Sequence, residues 1–165
     1  MTPLDPWWIA GFVDGEGCFS VDLISNATMT LGVQAQANFS VTQGLKSRSA
    51  LERIQAYFGC GQIQANKRTD NHREDLAIYR VRRLADLQQV IIPFFQRHPL
   101  QTAKAHDFAL FAEAVALMGR GEHLSPEGLE TIGRLKGRMS QPLVPIEMAV
   151  MESSETVRQA LLVKE

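Results

Sequence analysis

The spacing of hydrophobic and polar residues changes several times along the chain, and each change marks a predicted element. Four segments alternate apolar and polar side chains, the pattern of strands with one buried and one exposed face. These segments are residues 19–23, 31–41, 61–66 and 76–81. Because residues 67–75 are charged and lie between the last two strands, we predict that they form a hairpin loop.

In the remaining segments the apolar residues recur at helical spacing. The predicted helices cover about 7–15, 47–58, 84–96, 102–119, 126–138 and 154–163. Asp5 is placed to cap the first helix, with Pro6 at its first position, and Gly59 is placed to end the second. This element order predicts an α+β fold, αββαββα, with a curved four-stranded antiparallel sheet covered on one face by helices and with extra C-terminal helices.

Length and composition are those of one ordinary globular domain. The chain has 165 residues, of which 45% are hydrophobic and 21% charged. We therefore predict a single domain over 1–165, with a first helix at about 7–15, a sheet at about 17–82 and a helical part at about 84–165. No signal peptide or membrane-spanning run is visible, and Cys18 and Cys60 are predicted to be buried free thiols, which indicates an intracellular protein of a bacterial cytoplasm or an organelle.

Charge is distributed unevenly along the chain although the net charge is only −1. Residues 1–45 carry four acidic and no basic side chains, 46–104 carry eleven basic and five acidic ones, and 105–165 carry six basic and nine acidic ones. The three segments thus have charges of −4, +6 and −3. A chain of this kind can present a basic surface to nucleic acid, and the middle third is the candidate.

The predicted first helix ends in two carboxylates, Asp14 and Glu16, which alternate with Gly15 and Gly17. Acidic groups are unfavourable at a helix C-terminus, where unpaired carbonyls already concentrate negative charge. A hard divalent cation is the usual compensation for such a concentration of oxygen atoms. The sequence therefore indicates a metal site, and the alternative is a glycine turn with solvated acids.

Residues 8–17, WIAGFVDGEG, resemble position by position the signature helix of the LAGLIDADG homing endonucleases. The resemblance continues through Val41, Thr42 and Gln43 to Gly59 and to residues 154–158, and it is greatest to the single-motif homodimeric enzymes encoded in algal chloroplast introns. It implies a site-specific double-strand DNA endonuclease of intron homing, which cleaves a long pseudo-palindromic site with Mg²⁺, or with Mn²⁺ or Ca²⁺ in the same site.

The resemblance also implies roles for individual residues. Glu16 and the Gly15 carbonyl would bind the metal, Gln43 would order water, and Lys104 would be the catalytic lysine. A further basic residue is expected at Ser47, for which Lys46 and Arg48 are alternatives. The basic stretch that precedes 154–158 in the relative is replaced by residues 149–152, AVME, so that phosphate contacts are expected from Arg134, Lys136 and Arg138.

Two signature helices pack against each other in this family, and the chain has one copy, so a C2 homodimer is implied. The implied dimer interface consists of Trp8, Ala10, Gly11, Asp14 and Gly15. From the residues alone, the small residues of this set, Ala10, Gly11 and Gly15, also suit a helix that packs within its own domain.

The exposed face of the predicted sheet is rich in side-chain amides, which can bond to adenine in the major groove as arginine bonds to guanine. The alternative is a plain solvated face, although such faces are usually rich in Lys and Glu. The candidate DNA contacts on this face and its flanking turns are Ser20, Asp22, Ile24, Asn26, Thr28, Gln34, Gln36, Asn38, Ser40, Lys46, Arg48, Gln62, Gln64, Asn66, Arg68 and Asp75.

Two other functions stay open at this point. A maturase or RNA-splicing cofactor can use the same fold, as can a DNA-binding regulator without nuclease activity. Retention of Glu16 favours the nuclease. No membrane partner is expected, and RNA binding is possible but not indicated by the sequence.

Overall fold

A computed structural model describes residues 2–66 and 75–139. In chain order its strands are β1 (Gly17–Ser25), β2 (Val33–Gly44), β3 (Gln62–Asn66) and β4 (Leu76–Val81). Its α-helices are α1 (Pro6–Glu16), α2 (Arg48–Phe58), α3 (Leu84–Asp86), α4 (Ile92–Arg97), α5 (Lys104–Gly119) and α6 (Pro126–Arg138). Short 3₁₀ turns lie at Leu45–Ser47 and Glu122–Leu124.

The four strands form one antiparallel sheet in the order β1-β2-β4-β3. Phe39 on β2 pairs with Phe19 on β1 and with Val81 on β4, so these apolar residues share one face. The helices cover that face, and the rings of Phe58 and Phe95 contact Phe39 from α2 and α4. The other face carries the polar residues of the alternating pattern. This arrangement confirms the predicted α+β architecture.

The first helix has the predicted capping. Asp5 accepts hydrogen bonds from the backbone N–H groups of Trp7 and Trp8 at 2.8 and 3.1 Å, and Pro6 occupies the first helical position. At the other end, the chain passes from α1 directly into β1 at Gly17. A Cβ at Gly17 would lie 2.5 Å from Val13 Cγ1 and 2.8 Å from the Val13 carbonyl oxygen. Glycine at this position therefore allows the sharp change from helix to strand.

The predicted helix at 84–96 is interrupted. A π-helical turn at Leu87–Ile91 separates α3 from α4 and lies directly before Pro93. Because proline has no N–H to donate and its ring clashes with the carbonyl four residues earlier, the wider turn accommodates it. The hydrophobic spacing indicated the helix and not this local change.

The remaining predicted boundaries differ by a few residues at most, and the helix predicted at 102–119 begins at Lys104. The hairpin loop at 67–75, apart from Asp75, and the helix at 154–163 lie outside the described residues. Among the described helices, none has the length and apolar character needed to cross a bilayer.

Candidate active site and nucleic-acid interface

The C-terminal end of α1 is tied to the segment that precedes α5. The Asp14 carboxylate accepts hydrogen bonds from the Gln101 N–H at 2.7 Å, the Thr102 N–H at 3.1 Å and the Thr102 hydroxyl at 2.6 Å. Three donors thus converge on one carboxylate, and they belong to residues that are 87 and 88 positions away from Asp14 in the sequence. They compensate the charge that Asp14 adds to the helix end.

These contacts also control the ionisation of Asp14. Partial burial acts to raise the pKa of Asp14, but the hydrogen bonds from Thr102 and Gln101 and the charge of Lys104 outweigh it. The pKa of Asp14 is therefore lower than its usual value. Asp14 is therefore an anion that partners in its own chain stabilise.

Lys104 lies beside the same helix end. Its Nζ donates a hydrogen bond to the Val13 carbonyl at 3.0 Å, and its backbone N–H contacts the Thr102 hydroxyl at 3.2 Å. A cation at a helix C-terminus interacts favourably with the unpaired carbonyls there. The residue that the resemblance offered as the catalytic lysine thus lies next to the carboxylates of the motif.

Glu16 has a different environment from Asp14. It is exposed, and it makes no hydrogen bond or ion pair within the part of the chain that the structure describes. Gly15 is exposed as well, and its carbonyl belongs to the last turn of α1, where carbonyls lack helical partners. Glu16 and Gly15 consequently present unpaired oxygen ligands at the end of α1.

The outer face of α1 is only partly covered by the described residues, where Phe12 packs against the core. Trp8 is 43% exposed and stacks on Phe12 at 4.9 Å, with Gly11 and Gly15 on the same face. A Cβ built at Gly11 or at Gly15 has nothing within 4 Å, so nothing in the described chain requires glycine at these two positions. We call Trp8, Gly11, Phe12 and Gly15 the α1 outer face.

Two residues of the expected dimer interface do not lie on this face. Ala10 is only 3% exposed, because its side of α1 packs on the domain itself. Asp14 is half-buried against the 101–102 segment. Helical spacing explains the difference: residues three and four apart share a face, which joins Phe12 to Trp8 and separates Ala10 from it.

Gln43 lies near the same end of the sheet. Gly17 at the start of β1 pairs with Val41 on β2, and Gln43 follows two residues later, beside the end of α1. Gln43 pairs with Ala77 on β4 and is half-buried. The fold therefore brings the four residues expected at the active site, Gly15, Glu16, Gln43 and Lys104, to one region.

The polar face of the sheet has the composition that the alternation indicated. Residues that are directly paired point to the same side of a sheet, which places the strand residues of the candidate DNA contacts together. The pairs are Ser20 with Asn38, Asp22 with Gln36, Ile24 with Gln34, Ser40 with Arg80, and Gln62 with Arg80. Gln62 and Gln64 on β3 are exposed, and Gln36 on β2 is half-buried. We call this surface the polar sheet face.

Several of the candidate contacts are engaged within the chain. Gln34 Oε1 accepts a hydrogen bond from Asn26 Nδ2 at 2.9 Å, and Asn26 Oδ1 accepts from the N–H and the hydroxyl of Thr28 in the turn after β1. Asp22 pairs with Lys136 of α6 at 3.2 Å. Ser40 is 9% exposed, so its hydroxyl is less accessible than the alternation suggested.

The basic residues of the middle third are divided between the two sides of the sheet. Lys46 lies in the 3₁₀ turn after β2, and Arg48 at the start of α2 pairs with Glu52 at 2.8 Å. The candidate Asp75 lies beside this turn, where its backbone carbonyl accepts a hydrogen bond from the Leu45 N–H at 2.8 Å. Arg53 and Arg97 are exposed on helices of the opposite layer and do not join the polar sheet face. Arg68 lies outside the described residues, and of Asn66 only the backbone position at the end of β3 is described.

Two residues that the sequence reasoning did not select lie at these sites. Arg80 lies between Ser40 and Gln62 on the polar sheet face, and the alternation of β4 could have indicated it, since Arg80 follows buried Tyr79. Thr102 bonds to both Asp14 and the Lys104 N–H. No sequence signal marks Thr102, because its role depends on a contact between distant segments.

The remaining candidate groups are the two cysteines and any cluster of metal-binding side chains. Cys18 and Cys60 are unpaired, but Cys18 is exposed, so the expectation that both thiols are buried was wrong. Cys18 lies on β1 at a position that faces away from the core. Within residues 2–66 and 75–139, no three His, Cys, Asp or Glu side chains come together as a metal site.

Comparison with known proteins gives a consistent family assignment. A family model for LAGLIDADG endonucleases matches residues 9–115. The probable intron-encoded endonuclease 3 of Neurospora crassa is 34% identical over 138 residues, which are 83% of this chain and 25% of that protein. Three curated relatives from Podospora anserina and Neurospora crassa are much longer, since the chain spans 25% to 28% of their length.

Solved structures of similar fold include two homing endonucleases. I-TnaI matches with a TM-score of 0.76 and 37% identity, over 86% of this chain and 91% of that one. I-SmaMI, bound to an uncleaved DNA target in the presence of calcium ions, matches with a TM-score of 0.76 and 35% identity. This match covers 90% of this chain and 49% of I-SmaMI.

We expect Asp14→Asn to destabilise the protein at pH 7 by about 1–2 kcal/mol, because it removes a charge that three donors and Lys104 stabilise. The folded-state pKa of Asp14 is depressed, so its stabilising effect is present above the unfolded pKa of about 3.9 and is lost as the pH falls further. Urea unfolding between pH 7 and pH 3 should show the difference between wild type and variant shrinking below about pH 4. The exposed control Glu113→Gln should have a small effect at pH 7, and a difference for Asp14→Asn that does not change with pH would contradict this assignment.

Proposed function

The chain belongs to the LAGLIDADG endonuclease family, and from this premise we propose that it is a site-specific homing endonuclease. It would cleave both strands of a long pseudo-palindromic DNA site as a homodimer with a divalent cation. The observation that carries the proposal is the contrast at the end of α1: Asp14 is saturated by internal donors, whereas Glu16 is exposed without a partner among the described residues.

The ligand chemistry at this point suits a hard cation. Mg²⁺ binds through few protein oxygens and keeps several waters, which the Glu16 carboxylate and the Gly15 carbonyl could satisfy. Asp14 is unsuited as a ligand because its oxygens already accept three hydrogen bonds. When bound, a divalent cation lowers the pKa of its water and neutralises charge on a phosphate. The calcium ions in the structure of I-SmaMI support a divalent cation of this type, and Mg²⁺ is our proposal among them.

Residues of the chain would supply the remaining parts of the site. The Lys104 ammonium, held beside the Val13 carbonyl, would interact with negative charge that develops on the phosphate. Gln43 would position water from the adjoining end of β2. Thr102 would be a positioning residue, since it bonds both to Asp14 and to the Lys104 N–H.

The α1 outer face supports the homodimer. Its two glycines leave room for a second backbone, and exposed Trp8, stacked on half-buried Phe12, is an apolar side chain that a second copy would cover. A second copy packed on this face would bring a second Glu16 close to the first. In addition, the chain matches just under half of I-SmaMI, so two copies would correspond to the length of that protein.

The polar sheet face is the proposed DNA-reading surface. Its amides can discriminate base edges in the major groove, and Arg80 adds a side chain that suits guanine. The structure of I-SmaMI bound to a DNA target supports DNA as the partner of this chain. The single domain over 1–165 and the intracellular compartment, whether bacterial or organellar, stay predictions.

We predict that Glu16→Gln abolishes cleavage and leaves DNA binding largely intact, because it removes a metal ligand and not a base or phosphate contact. Supercoiled plasmid libraries that carry candidate sites, incubated with Mg²⁺, would be assayed for cleavage, with gel-shift assays in parallel. Glu113→Gln, an exposed carboxylate on α5, is the control and should cleave like wild type. Cleavage by Glu16→Gln at the wild-type rate would refute the metal assignment. Binding without cleavage by the wild type itself would favour the maturase or the regulator.

We predict that Gln36→Ala changes which base is preferred at one position in each half-site and leaves the other positions unaltered. A good bidentate contact contributes about 1–3 kcal/mol of discrimination, which corresponds to a loss of preference of about fivefold or more. Selection from a randomised site library would measure it, with Gln89→Ala, exposed between α3 and α4, as the control. If Gln36→Ala, Gln62→Ala and Gln64→Ala all retain the wild-type preferences, the polar sheet face does not read sequence.

A further inference from the structure

A cleft of about 320 Å³ opens at the β3 edge of the sheet. Gln62 and Gln64 line it from β3. The other side is formed by Arg80 on β4 and by Arg82, Arg83 and Asp86 directly after β4. The cleft therefore adjoins the polar sheet face but lies at its margin, and the sequence analysis did not assign it a role.

The arginines of this cleft have unused hydrogen-bonding capacity. Arg80 Nε is buried and has no hydrogen-bond partner among the described residues. Arg82 is exposed and makes no hydrogen bond or ion pair with the described residues. Arg83 has only a long contact of 3.7 Å to Asp86, and its side chain is 78% exposed. Because an occluded donor without a partner is unfavourable, a ligand that brings acceptors into the cleft would be stabilised there.

The fold also keeps the cleft open. Gly61, which lines it, has a φ of +79°, and a Cβ there would lie 2.7 Å from Tyr79 Cε2 and 2.8 Å from the Arg80 carbonyl oxygen. The turn is fixed by hydrogen bonds of 2.9 Å from Gln55 Nε2 to the Gly61 carbonyl and from the Tyr79 hydroxyl to the Cys60 carbonyl. Any residue with a Cβ at position 61 would therefore be strained, so this end of the cleft stays open.

Charge and shape together select an anion. Three guanidinium groups face one carboxylate, and the planar guanidinium fork matches the oxygens of a phosphate group. Resting on the proposed function, we propose that the cleft binds backbone phosphates of the DNA whose bases the polar sheet face contacts. Arg82 and Arg83 make the phosphate contacts, and Arg80 links this subsite to the base-reading side chains.

The dimensions of sheet and duplex place phosphates at this edge. A four-stranded sheet with strands about 4.8 Å apart is about 14 Å wide. The major groove of B-DNA is about 12 Å wide, and a two-stranded ribbon fills it. A duplex whose major groove lies against the sheet consequently brings its phosphate backbone to the edge strands, and β3 is one of them.

The test compares a double variant, Arg82→Ala with Arg83→Ala, against a matched double control, Arg53→Ala with Arg97→Ala, which removes the same charge from the opposite layer. Fluorescence anisotropy would measure the affinity of each protein for two unrelated 30-bp duplexes between 50 and 300 mM KCl, with EDTA present. The slope of log affinity against log salt should become less steep by about two for the cleft variant, because each phosphate contact contributes about 0.9. Both duplexes should lose affinity equally, and the control should keep the wild-type slope.

Further variants keep the proposal open to contradiction. Arg82→Lys with Arg83→Lys retains the charge and should keep the slope. Arg82→Ala alone should reduce its magnitude by about one, which gives a test if the double variant does not fold. A cleft variant with the wild-type slope, or with weaker binding to only one duplex, would overturn the phosphate subsite and leave the proposed endonuclease intact. A wild-type protein that binds neither duplex would instead contradict the proposed function, and the subsite with it.

Discussion

The C-terminal end of α1 combines unpaired backbone carbonyls with two carboxylates, and relief of this negative charge organises the surrounding structure. Asp14 is stabilised by the N–H groups of Gln101 and Thr102 and by the Thr102 hydroxyl. Lys104 adds a cation at the Val13 carbonyl. These contacts join the start of the chain to the start of α5. They leave Glu16 as the one carboxylate of the motif that is available to a ligand from outside the described chain.

The sheet extends from that same point, and this continuity relates chemistry to recognition. Gly17 ends α1 and begins β1, so the proposed metal ligands lie directly before the first strand of the polar sheet face. The amides proposed to read bases lie on the polar sheet face, along β1 and β2 from that point and beside it on β3. Arg82 and Arg83 follow β4 and line the proposed phosphate cleft together with side chains of the edge strand β3. One row of paired residues, formed by Cys18, Ser40, Arg80 and Gln62, thus joins the start of β1 to the proposed phosphate cleft.

The sequence predicted most of this architecture because its signals are local. Alternation of apolar residues in β1 and β2 defines both the core face and the polar face, and Asp5, Pro6 and Gly59 mark helix ends by their own backbone preferences. The signals failed where the structure depends on distant contacts. The hydrogen bonds of Asp14 cross 87 residues, and the burial of Ala10 depends on which side of α1 meets the sheet. Small residues at helical spacing are compatible with either side, so the pattern alone could not separate Ala10 from Gly11.

Sedimentation equilibrium of Gly11→Leu beside wild type tests the proposal that the α1 outer face joins a second copy of the chain. For the wild type at micromolar concentration without DNA, we expect a mass of twice the 18.4 kDa of the chain. For Gly11→Leu we expect 18.4 kDa, because the leucine side chain would separate the two helices. Gly137→Leu is the matched control, because Gly137 is also an exposed helical glycine with nothing within 4 Å of a built Cβ, and it should keep the wild-type mass. A monomeric wild type, or a Gly11→Leu variant that remains a dimer, would contradict a homodimer formed through the α1 outer face.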